Sequence, residues 1–323
     1  MTTAMHPPVT PHDRASPLRV GTRGSPLALI QTRLFIELLR PTCPRVLVEH
    51  PIRTTGDAVQ NRRLAEIGGK GLFAKEIHEA LADRRIDFAV HSLKDLETTL
   101  PPGIVLACTL ARDDARDALI LRDVDAPIDP ADPFAGLPAG ALVGTASVRR
   151  QAQLLHVRPD LAITTLRGNV QTRLDKLAAG DCAASVLANA GLKRLGLAAR
   201  ANVVLEPDTM VPAAGQGIIG VTVREEDTEF RELLAAIEDS AAKAVSTAER
   251  AMLTRLDGSC RTPIGGHARL LPNGELHLTG LVARADGSFL LKRSMQGPVR
   301  DADSIGRELG ACLRADCPSD LFA

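Results

Sequence analysis

The sequence predicts an α/β protein with two similar α/β halves and a small α+β domain at the end of the chain. In the first two thirds of the sequence, short apolar or β-branched runs alternate with helical patterns, which is typical of βαβ units and a mostly parallel sheet. From Asp239 the order changes to one helix, three strands and one helix, which indicates an α+β domain. A length of 323 residues suits two or three such domains.

The first half opens with a predicted strand at Leu18–Thr22 and a predicted helix at Ser25–Arg40. Ser25 suits the N-cap of this helix and Pro26 suits its first turn. Apolar residues recur at helical spacing and are expected to share one face, namely Leu27, Ile30, Leu34 and Leu38. The other elements expected here are strand Val46–Thr54, helix Leu72–Arg84, and strands Ile86–Val90 and Ile104–Leu110.

The second half restarts the same alternation. Its expected elements are strands Ala118–Leu121 and Ala141–Gly144, helix Ser147–His156, strand Leu161–Leu166, helix Asn169–Ala179 and strand Ala183–Ala188. The insertion Asp123–Gly140 is rich in Pro, Asp and Ala, so we expect a surface loop there. No repeat of fixed period relates the two halves, so their similarity is one of architecture only.

The last part of the chain has the α+β order. Its expected elements are a helix from Asp239 to about Leu256, strands Ile264–Leu271, Glu275–Ala283 and Phe289–Met295, and a helix near Ala302–Arg314. We expect residues 1–16 to be a disordered tail, residues 113–215 to form the second domain and residues 238–323 the third. The first domain then comprises residues 17–112 and about 216–237, if the segment Gly215–Glu225 crosses back to the first sheet.

Composition excludes several classes of protein. Lys and Arg total 39 and Asp and Glu total 39, so the net charge is zero, whereas a dedicated nucleic-acid binder shows a basic excess. No apolar run approaches the roughly 18 residues of a membrane span. The six cysteines are scattered, without disulfide-rich or metal-ligand spacing, and the N-terminal stretch lacks the pattern of a signal peptide. We therefore expect a cytoplasmic protein with reduced thiols, no metal, no nucleic-acid partner and no membrane partner.

Arginine dominates the basic residues. Only 7 of the 39 are lysine and 32 are arginine. One explanation is the base composition of the genome. The other is a need for permanent, forked cations that face carboxylates or phosphates. The positions of the arginines have to decide between the two.

Three strand-to-helix turns place arginine beside a predicted helix N-terminus. They are Thr22–Pro26, Gly144–Arg150 and Leu166–Asn169. Helix N-termini present free N–H groups and a partial positive charge, and ligands of open α/β folds bind beyond the carboxyl ends of strands. Each turn alone could be a capped helix with a solvated arginine, but three at corresponding strand ends favour an anion site.

The segment Gly68–Phe73 is glycine-rich and basic and precedes a predicted helix. It lacks the spacing of a phosphate-binding P-loop. It could be a mobile lid over a cleft, with Lys70 and Phe73 facing the ligand, or a plain turn at the start of a helix.

Two further segments carry candidate chemistry. Asp95 closes the segment Ala89–Asp95, directly after a predicted buried strand, where a carboxylate could stabilise a cation in a transition state. Alternatively, Lys94 and Asp95 simply cap the next element. Cys260 lies in a loop of Gly, Ser and Pro next to Arg261, so it is either a covalent attachment point or nucleophile, or an inert thiol.

Taken together, these motifs resemble the porphobilinogen deaminase family, also called the hydroxymethylbilane synthases. The resemblance runs from about Leu18 to the end of the chain. It rests on motifs that occur in the same order, namely Gly21–Ala28, Gly68–Phe73, His91–Asp95, Arg149–Gln151, Leu166–Val170 with Arg173, Ala190–Gly196, Pro212–Gly217, Ala248–Arg250, and Cys260 with Pro263–Gly265. Four positions depart from the family's pattern without removing a residue that carries chemistry, namely Glu97, Ala146, Thr222 and Ser259.

The resemblance implies a fold and a reaction. The fold is a pair of α/β domains like those of periplasmic binding proteins, with a third domain that carries the cofactor. The enzyme joins four porphobilinogen molecules head to tail into hydroxymethylbilane and releases ammonia. It builds the chain on a dipyrromethane cofactor that a thioether attaches to Cys260, while Asp95 holds pyrrole N–H groups and stabilises the cation formed as ammonia leaves. Family members usually work as monomers.

The resemblance also assigns residues that bind the cofactor and the substrate. Lys94, Ser147, Arg149 and Arg150 correspond to cofactor-binding positions. Positions that bind the substrate correspond to Arg23, Ser25, Thr145, Arg167, Arg173 and Arg194. A six-ring intermediate carries twelve carboxylates, and isolated carboxylates are costly to desolvate, so the arginine excess gains a purpose in one cleft.

Two other functions remain compatible with parts of the sequence. A non-catalytic two-lobed binding protein for an anionic metabolite would use the same arginine turns, but it would not need Cys260. A transferase that uses a phosphorylated substrate is disfavoured because no P-loop is present.

Overall fold

The computed structural model describes residues 16–58, 71–123, 125–256 and 262–322. Within these ranges the strands are, in chain order, β1 Leu18–Arg23, β2 Leu47–Ile52, β3 Phe88–Ser92, β4 Ile104–Thr109, β5 Asp117–Leu121, β6 Leu142–Gly144, β7 Ala162–Thr164, β8 Ala184–Ala188, β9 Val203–Leu205, β10 Ile219–Arg224, β11 Ile264–Leu270, β12 Glu275–Ala283 and β13 Leu290–Pro298. The predicted N-terminal tail and the predictions for Lys70 and Cys260 lie outside the described residues.

The helices of the described residues are α1 Pro26–Leu39, α2 Thr55–Ala58, α3 Lys75–Ala82, α4 Val148–Val157, α5 Val170–Ala178, α6 Asn189–Arg194, α7 Thr228–Ala235, α8 Ser240–Leu256 and α9 Ala302–Asp316. Ser25, Ser147 and Asn169 cap α1, α4 and α5, and each side-chain oxygen accepts a backbone N–H of the first turn. None of these helices is both long and apolar enough to cross a membrane.

Two five-stranded sheets share one arrangement. Their strand orders are β2-β1-β3-β10-β4 and β7-β6-β8-β5-β9. We call the unit around the first sheet the first lobe and the unit around the second sheet the second lobe. This is the mixed α/β architecture that the alternating pattern predicts, with a three-stranded sheet, β11-β12-β13, as the third domain.

As predicted, most strands of each large sheet run in the same direction, but one strand in each sheet is antiparallel to the other four. Each large sheet has two parallel pairings and two antiparallel ones, because one strand in each runs against its neighbours. That strand is β10 in the first sheet and β5 in the second. The chain reaches β5 directly from β4 of the first sheet, and it returns to β10 from β9 of the second sheet. Two crossing segments therefore connect the lobes.

The predicted apolar face of α1 is wrong. Leu34 and Leu38 are 39% and 51% exposed, whereas Phe35 and Leu39 are fully buried against the first sheet. The aromatic ring decides the orientation, because Phe35 packs edge-on against Phe88 of β3 with 5.7 Å between ring centroids.

The insertion between β5 and β6 is more than a surface loop. Phe134 and Leu137 are only 2% and 5% exposed and belong to the apolar cluster of the second lobe, with Val143 and Leu154. Arg158 fastens the insertion by donating to the carbonyl oxygen of Leu137 at 3.2 Å. The segment thus covers one face of the second sheet and adds apolar burial to it.

The third domain packs α8 and α9 against its sheet. Its apolar cluster includes Leu93 and Leu96, which follow β3 in the first lobe. Several short elements had not been predicted, namely α2, α6, α7 and β9. Their length of three to eight residues is too short for a clear periodic pattern.

Candidate functional site

A cleft of about 1100 Å³ runs between the two lobes and reaches the third domain. The turns that follow β1, β3 and β6 line it, which is the edge of the sheets where the sequence predicted a ligand. From the third domain, Leu253 of α8, Thr262 and Ile264 of β11 also line the cleft.

Arg23, at the end of β1, faces two carboxylates. Its guanidinium donates to both carboxylate oxygens of Asp57 in α2, with Nε at 3.2 Å from Oδ2. Its Nη1 lies 3.9 Å from Oδ2 of Asp95. Burial alone would raise the pKa of Asp57, but the hydrogen bond and charge of Arg23 outweigh burial and lower it. Ser25, two residues on, also lines the cleft.

Lys94 and Asp95 belong to a single 3₁₀ turn, Leu93–Asp95, directly after β3. The Asp95 side chain is 35% exposed and opens into the cleft. The Lys94 ammonium donates to Oε1 of Gln216 at 3.2 Å. Although Lys94 is exposed to the cleft, the surrounding protein displaces enough water to lower its pKa to about 8, and Arg150 adds to this effect.

Arg149 and Arg150 share one buried counter-ion. Nη2 of Arg149 donates to Oδ2 of Asp117 at 2.8 Å, and Nη2 of Arg150 donates to Oδ1 at 2.7 Å. Gln216 donates to the same Oδ1 at 2.8 Å. Asp117 is fully buried, and burial alone would raise its pKa, but the charges of the two arginines outweigh burial and lower it. Two cations on one carboxylate leave a net positive charge at the N-terminus of α4.

Arg167 and Arg173 line the second-lobe wall of the cleft. Arg167 is buried and reaches across to the carbonyl oxygen of Gly56 in the first lobe at 3.5 Å. Arg173 donates through Nε to the carbonyl oxygen of Gly168 at 2.9 Å. Burial lowers the pKa of both groups, that of Arg173 to about 10, so each guanidinium is held in a site with little water.

Two of the candidate residues do not line the cleft. The hydroxyl of Thr145 is buried and accepts the backbone N–H of Ser147 at 3.2 Å. Arg194 donates to the carbonyl oxygen of Gly217 at 2.6 Å and lies 3.7 Å from Asp113. Both side chains hold segments next to the cleft.

The described part of the glycine-rich segment begins at Gly71. Phe73 lies beneath the guanidinium of Arg23, with 4.1 Å from Cζ to the ring centroid. Gly71 has φ +82°, a left-handed backbone conformation that residues with a Cβ rarely adopt, so this position favours glycine. Lys70 lies outside the described residues.

Sequence reasoning missed four partners of the site. Asp57 and Asp117 carry no local signal, because each meets its arginine from a distant part of the chain. Gln216 and Glu249 lie within recognised motifs but had no assigned role. Glu249 is fully buried and accepts from Arg112, from the backbone of Gly215 and from the backbone of Ala268, each within 2.7 Å.

The cleft suits a ligand with several carboxylates. Arginine, lysine and serine side chains provide hydrogen-bond donors and positive charge on both walls. The side chains of Arg149 and Arg150 line the cleft beside the buried carboxylate of Asp117. Among the residues that the structure describes, no three His, Cys, Asp or Glu side chains come together as a metal site.

Fold and site define the class of this protein: two α/β lobes around a cationic cleft, closed by a third domain that contributes to the cleft wall. Residues 18–232 match the family model described as "Porphobilinogen deaminase, dipyromethane cofactor binding domain", and residues 243–315 match "Porphobilinogen deaminase, C-terminal domain". The chain belongs to the porphobilinogen deaminase family. It is therefore a transferase that polymerises porphobilinogen to hydroxymethylbilane on a dipyrromethane cofactor, as its sequence motifs predicted.

Curated relatives match nearly the whole chain. The porphobilinogen deaminase of Syntrophotalea carbinolica is 47% identical over 304 residues, which is 93% of each chain. That of Paracoccus denitrificans is 46% identical over 316 residues, 96% of this chain and 97% of the relative. Among solved structures, the periplasmic sulfonate-binding protein SsuA of Methylobacillus flagellatus aligns with 72% of this chain and 68% of its own, at 16% identity and a TM-score of 0.38.

Proposed function

We propose that the condensation of porphobilinogen takes place in this cleft, with Asp95 as the catalytic carboxylate. One observation carries the proposal: Asp95 opens into a cleft that brings arginines of both lobes together, and Nη1 of Arg23 lies 3.9 Å from its carboxylate. A carboxylate at this place can stabilise positive charge as it develops on a substrate in the cleft.

The cofactor is proposed to be attached to Cys260 and to bind near Asp117 and its two arginines, Arg149 and Arg150. Cys260 would hold it by a thioether, while Arg149, Arg150, Lys94 and Ser147 would bind its carboxylates. The net positive charge around Asp117 supports this placement. When bound, dipyrromethane supplies the terminal pyrrole carbon to which the first substrate is joined.

Asp95 acts on the substrate as ammonia leaves. The pyrrole nitrogen of porphobilinogen donates electron density as the aminomethyl C–N bond breaks, so positive charge spreads over the ring. The Asp95 carboxylate accepts a hydrogen bond from the pyrrole N–H and stabilises that charge where it develops. Because the protein places this carboxylate before the reaction, no solvent has to reorient during bond breaking.

The substrate's acetate and propionate are proposed to bind Arg23, Ser25, Arg167 and Arg173. The forked guanidinium can donate two parallel hydrogen bonds to each carboxylate. Thr145 and Arg194 are proposed to act indirectly, because their hydrogen bonds hold the backbone at Ser147 and Gly217 beside the cleft.

We further propose that Lys70 and Phe73 belong to a lid over this cleft. We also propose that the chain works as a monomer in the cytoplasm, without a nucleic-acid partner, and that its domains have the limits given above. Equal numbers of basic and acidic residues support the absence of a nucleic-acid partner. The crossing strands β5 and β10 support the assignment of residues about 216–237 to the first domain.

The experiment is to replace Asp95 by Ala and by Glu and to measure turnover and intact mass. We expect the Ala variant to keep the covalent pyrrole adduct and to lose at least about 10²–10³-fold in kcat, with Glu retaining some activity. Asp316→Ala is the matched control, because Asp316 lies at the end of α9 and does not line the cleft. Near-normal turnover in Asp95→Ala would remove Asp95 from the mechanism.

A further inference from the structure

The turn that carries Asp95 is fastened to the rest of the protein on its N-terminal side. Leu93 donates its backbone N–H to the carbonyl oxygen of Ile218 at 3.0 Å, just before β10. The side chains of Leu93 and Leu96 are 1% and 6% exposed and pack in the apolar cluster of α8. Asp95 therefore projects into the cleft from between two anchored leucines.

On the C-terminal side the turn is held by Arg250 of α8. Its Nη1 donates to the carbonyl oxygen of Leu96 at 3.2 Å. Its Nη2 donates to those of Glu97 at 2.6 Å and Thr98 at 3.2 Å. These three carbonyls directly follow Asp95 and belong to no helix or strand, so no regular secondary structure supplies their hydrogen bonds. Arg250 is half-buried, and burial lowers the pKa of its guanidinium to about 10.

The same helix leads to the cysteine. Leu253, one turn after Arg250, lines the cleft, and α8 ends at Leu256, four residues before Cys260. Glu249, next to Arg250, binds Arg112 and the backbone of Gly215 in the two segments that cross between the lobes. One helix thus contacts the Asp95 turn and both crossing segments, and it ends beside the segment that carries Cys260.

We propose that Arg250 is a positioning residue for the condensation: by binding the carbonyls of Leu96–Thr98, it fixes the Asp95 carboxylate relative to the helix that leads to Cys260. This inference rests on the role proposed for Asp95. Displacing a reacting group by about 1 Å costs on the order of 10²-fold in rate. The arginines that hold substrate carboxylates do not depend on these bonds, so substrate binding should persist.

The test compares Arg250→Gln and Arg250→Lys with wild type as the cofactor-bearing enzyme. We expect the pyrrole adduct to remain, KM to stay within about two-fold, and kcat to fall about 10–100-fold in the Gln variant. The Lys variant should rescue part of the rate, because an ammonium can bind one or two of the three carbonyls without the fork. Arg255→Gln, an exposed arginine on the same helix, is the control and should match wild type.

A coupling measurement separates positioning from a merely structural role. In an Asp95→Glu background, where the carboxylate is already displaced by one methylene, Arg250→Gln should lower kcat by less than about three-fold. An equal fall in both backgrounds, an unchanged kcat in Arg250→Gln, or loss of the adduct would overturn the inference. If Asp95→Ala is inactive but Arg250→Gln is normal, only this inference fails. If Asp95→Ala is active, the proposed function itself fails.

Discussion

The guanidinium of Arg23 lies over the ring of Phe73, with 4.1 Å from Cζ to the ring centroid. The same guanidinium binds Asp57 and faces Asp95, so three side chains surround it. Phe73 is the last residue of the glycine-rich segment and precedes α3. The position of the Phe73 ring is therefore coupled to that of the arginine that is proposed to bind the substrate.

We expect Phe73→Leu to raise KM for porphobilinogen about three- to five-fold while kcat changes less. The substitution keeps an apolar side chain but removes the cation–π contact, which is worth about 0.5–1 kcal/mol at a partly exposed site. Steady-state kinetics measure this. The matched control is Phe322→Leu, which removes the contact of Phe322 with Arg314 in the third domain. Equal KM values for both variants would contradict the expected role of Phe73.

Cys260→Ser should lack the covalent adduct. A serine hydroxyl is far less ionised than a thiol near neutral pH and cannot form the thioether. Intact mass of the purified protein and an aldehyde colour test for pyrroles give the result. Cys312→Ser is the control, because Cys312 is exposed on α9 and can be replaced without opening a core. A Cys260→Ser protein that still carried pyrroles would show that the attachment site lies elsewhere.

Replacement of different cleft arginines should lower the stability of the folded protein by different amounts. Arg149→Leu removes a hydrogen bond to the buried carboxylate of Asp117, and a hydrogen bond to a charged group contributes about 1.5–3 kcal/mol. Arg173 donates to a backbone carbonyl instead of a buried carboxylate, so Arg173→Leu should unfold close to the wild-type midpoint. Thermal or denaturant unfolding distinguishes the two, and similar midpoints for both variants would contradict the shared role of Asp117.

The same arginines should act at different stages of chain growth. Each added ring brings two more carboxylates to new positions. We therefore expect Arg149→Leu or Arg150→Leu to block cofactor assembly or the first addition, and Arg23→Leu, Arg167→Leu or Arg173→Leu to stop at a later enzyme-bound intermediate. Intact mass after brief incubation with porphobilinogen shows the number of bound rings. If every variant forms the same series of ring-bearing intermediates as the wild type, but only at higher substrate concentration, position-specific binding is excluded.

Lys94 should make cofactor assembly sensitive to pH. Its pKa is lowered to about 8, so the charge is present below pH 8 and is lost as the pH rises through that value. Lys94→Arg keeps the charge at all these values. The ratio of the variant's rate of adduct formation to that of the wild type should therefore rise several-fold between pH 7 and pH 9. Ionisation of Cys260 affects both proteins equally and cancels in the ratio. A flat ratio would exclude a role for the Lys94 charge.

Local signals were sufficient for much of this structure. Each predicted strand end with a small polar turn and an arginine does border the cleft, because parallel strands bring their carboxyl ends to one edge. N-caps at Ser25, Ser147 and Asn169 follow from side chains that bind the first turn of their own helix. Asp95 and Lys94 could be placed at the cleft for the same reason.

Partners brought together by long-range packing could not be predicted. Asp117 lies more than thirty residues along the chain from the two arginines that it binds, and the sequence around it does not indicate this pairing. Leucine spacing on α1 predicted the wrong face, because Phe35 buries a larger apolar surface against Phe88 than Leu34 or Leu38 could. The antiparallel strands β5 and β10 depend on where the chain crosses, which periodicity does not encode.

Because β10 of the first sheet follows all strands of the second sheet in the sequence, it also determines which sheet can be completed first during synthesis. Every strand of the second sheet lies between residues 117 and 205, whereas the first sheet includes β10, at residues 219–224. As the chain leaves the ribosome, β3 and β4 must wait with their facing edges unpaired until β10 arrives between them. The first lobe, although its translation starts first, is therefore completed after the second lobe.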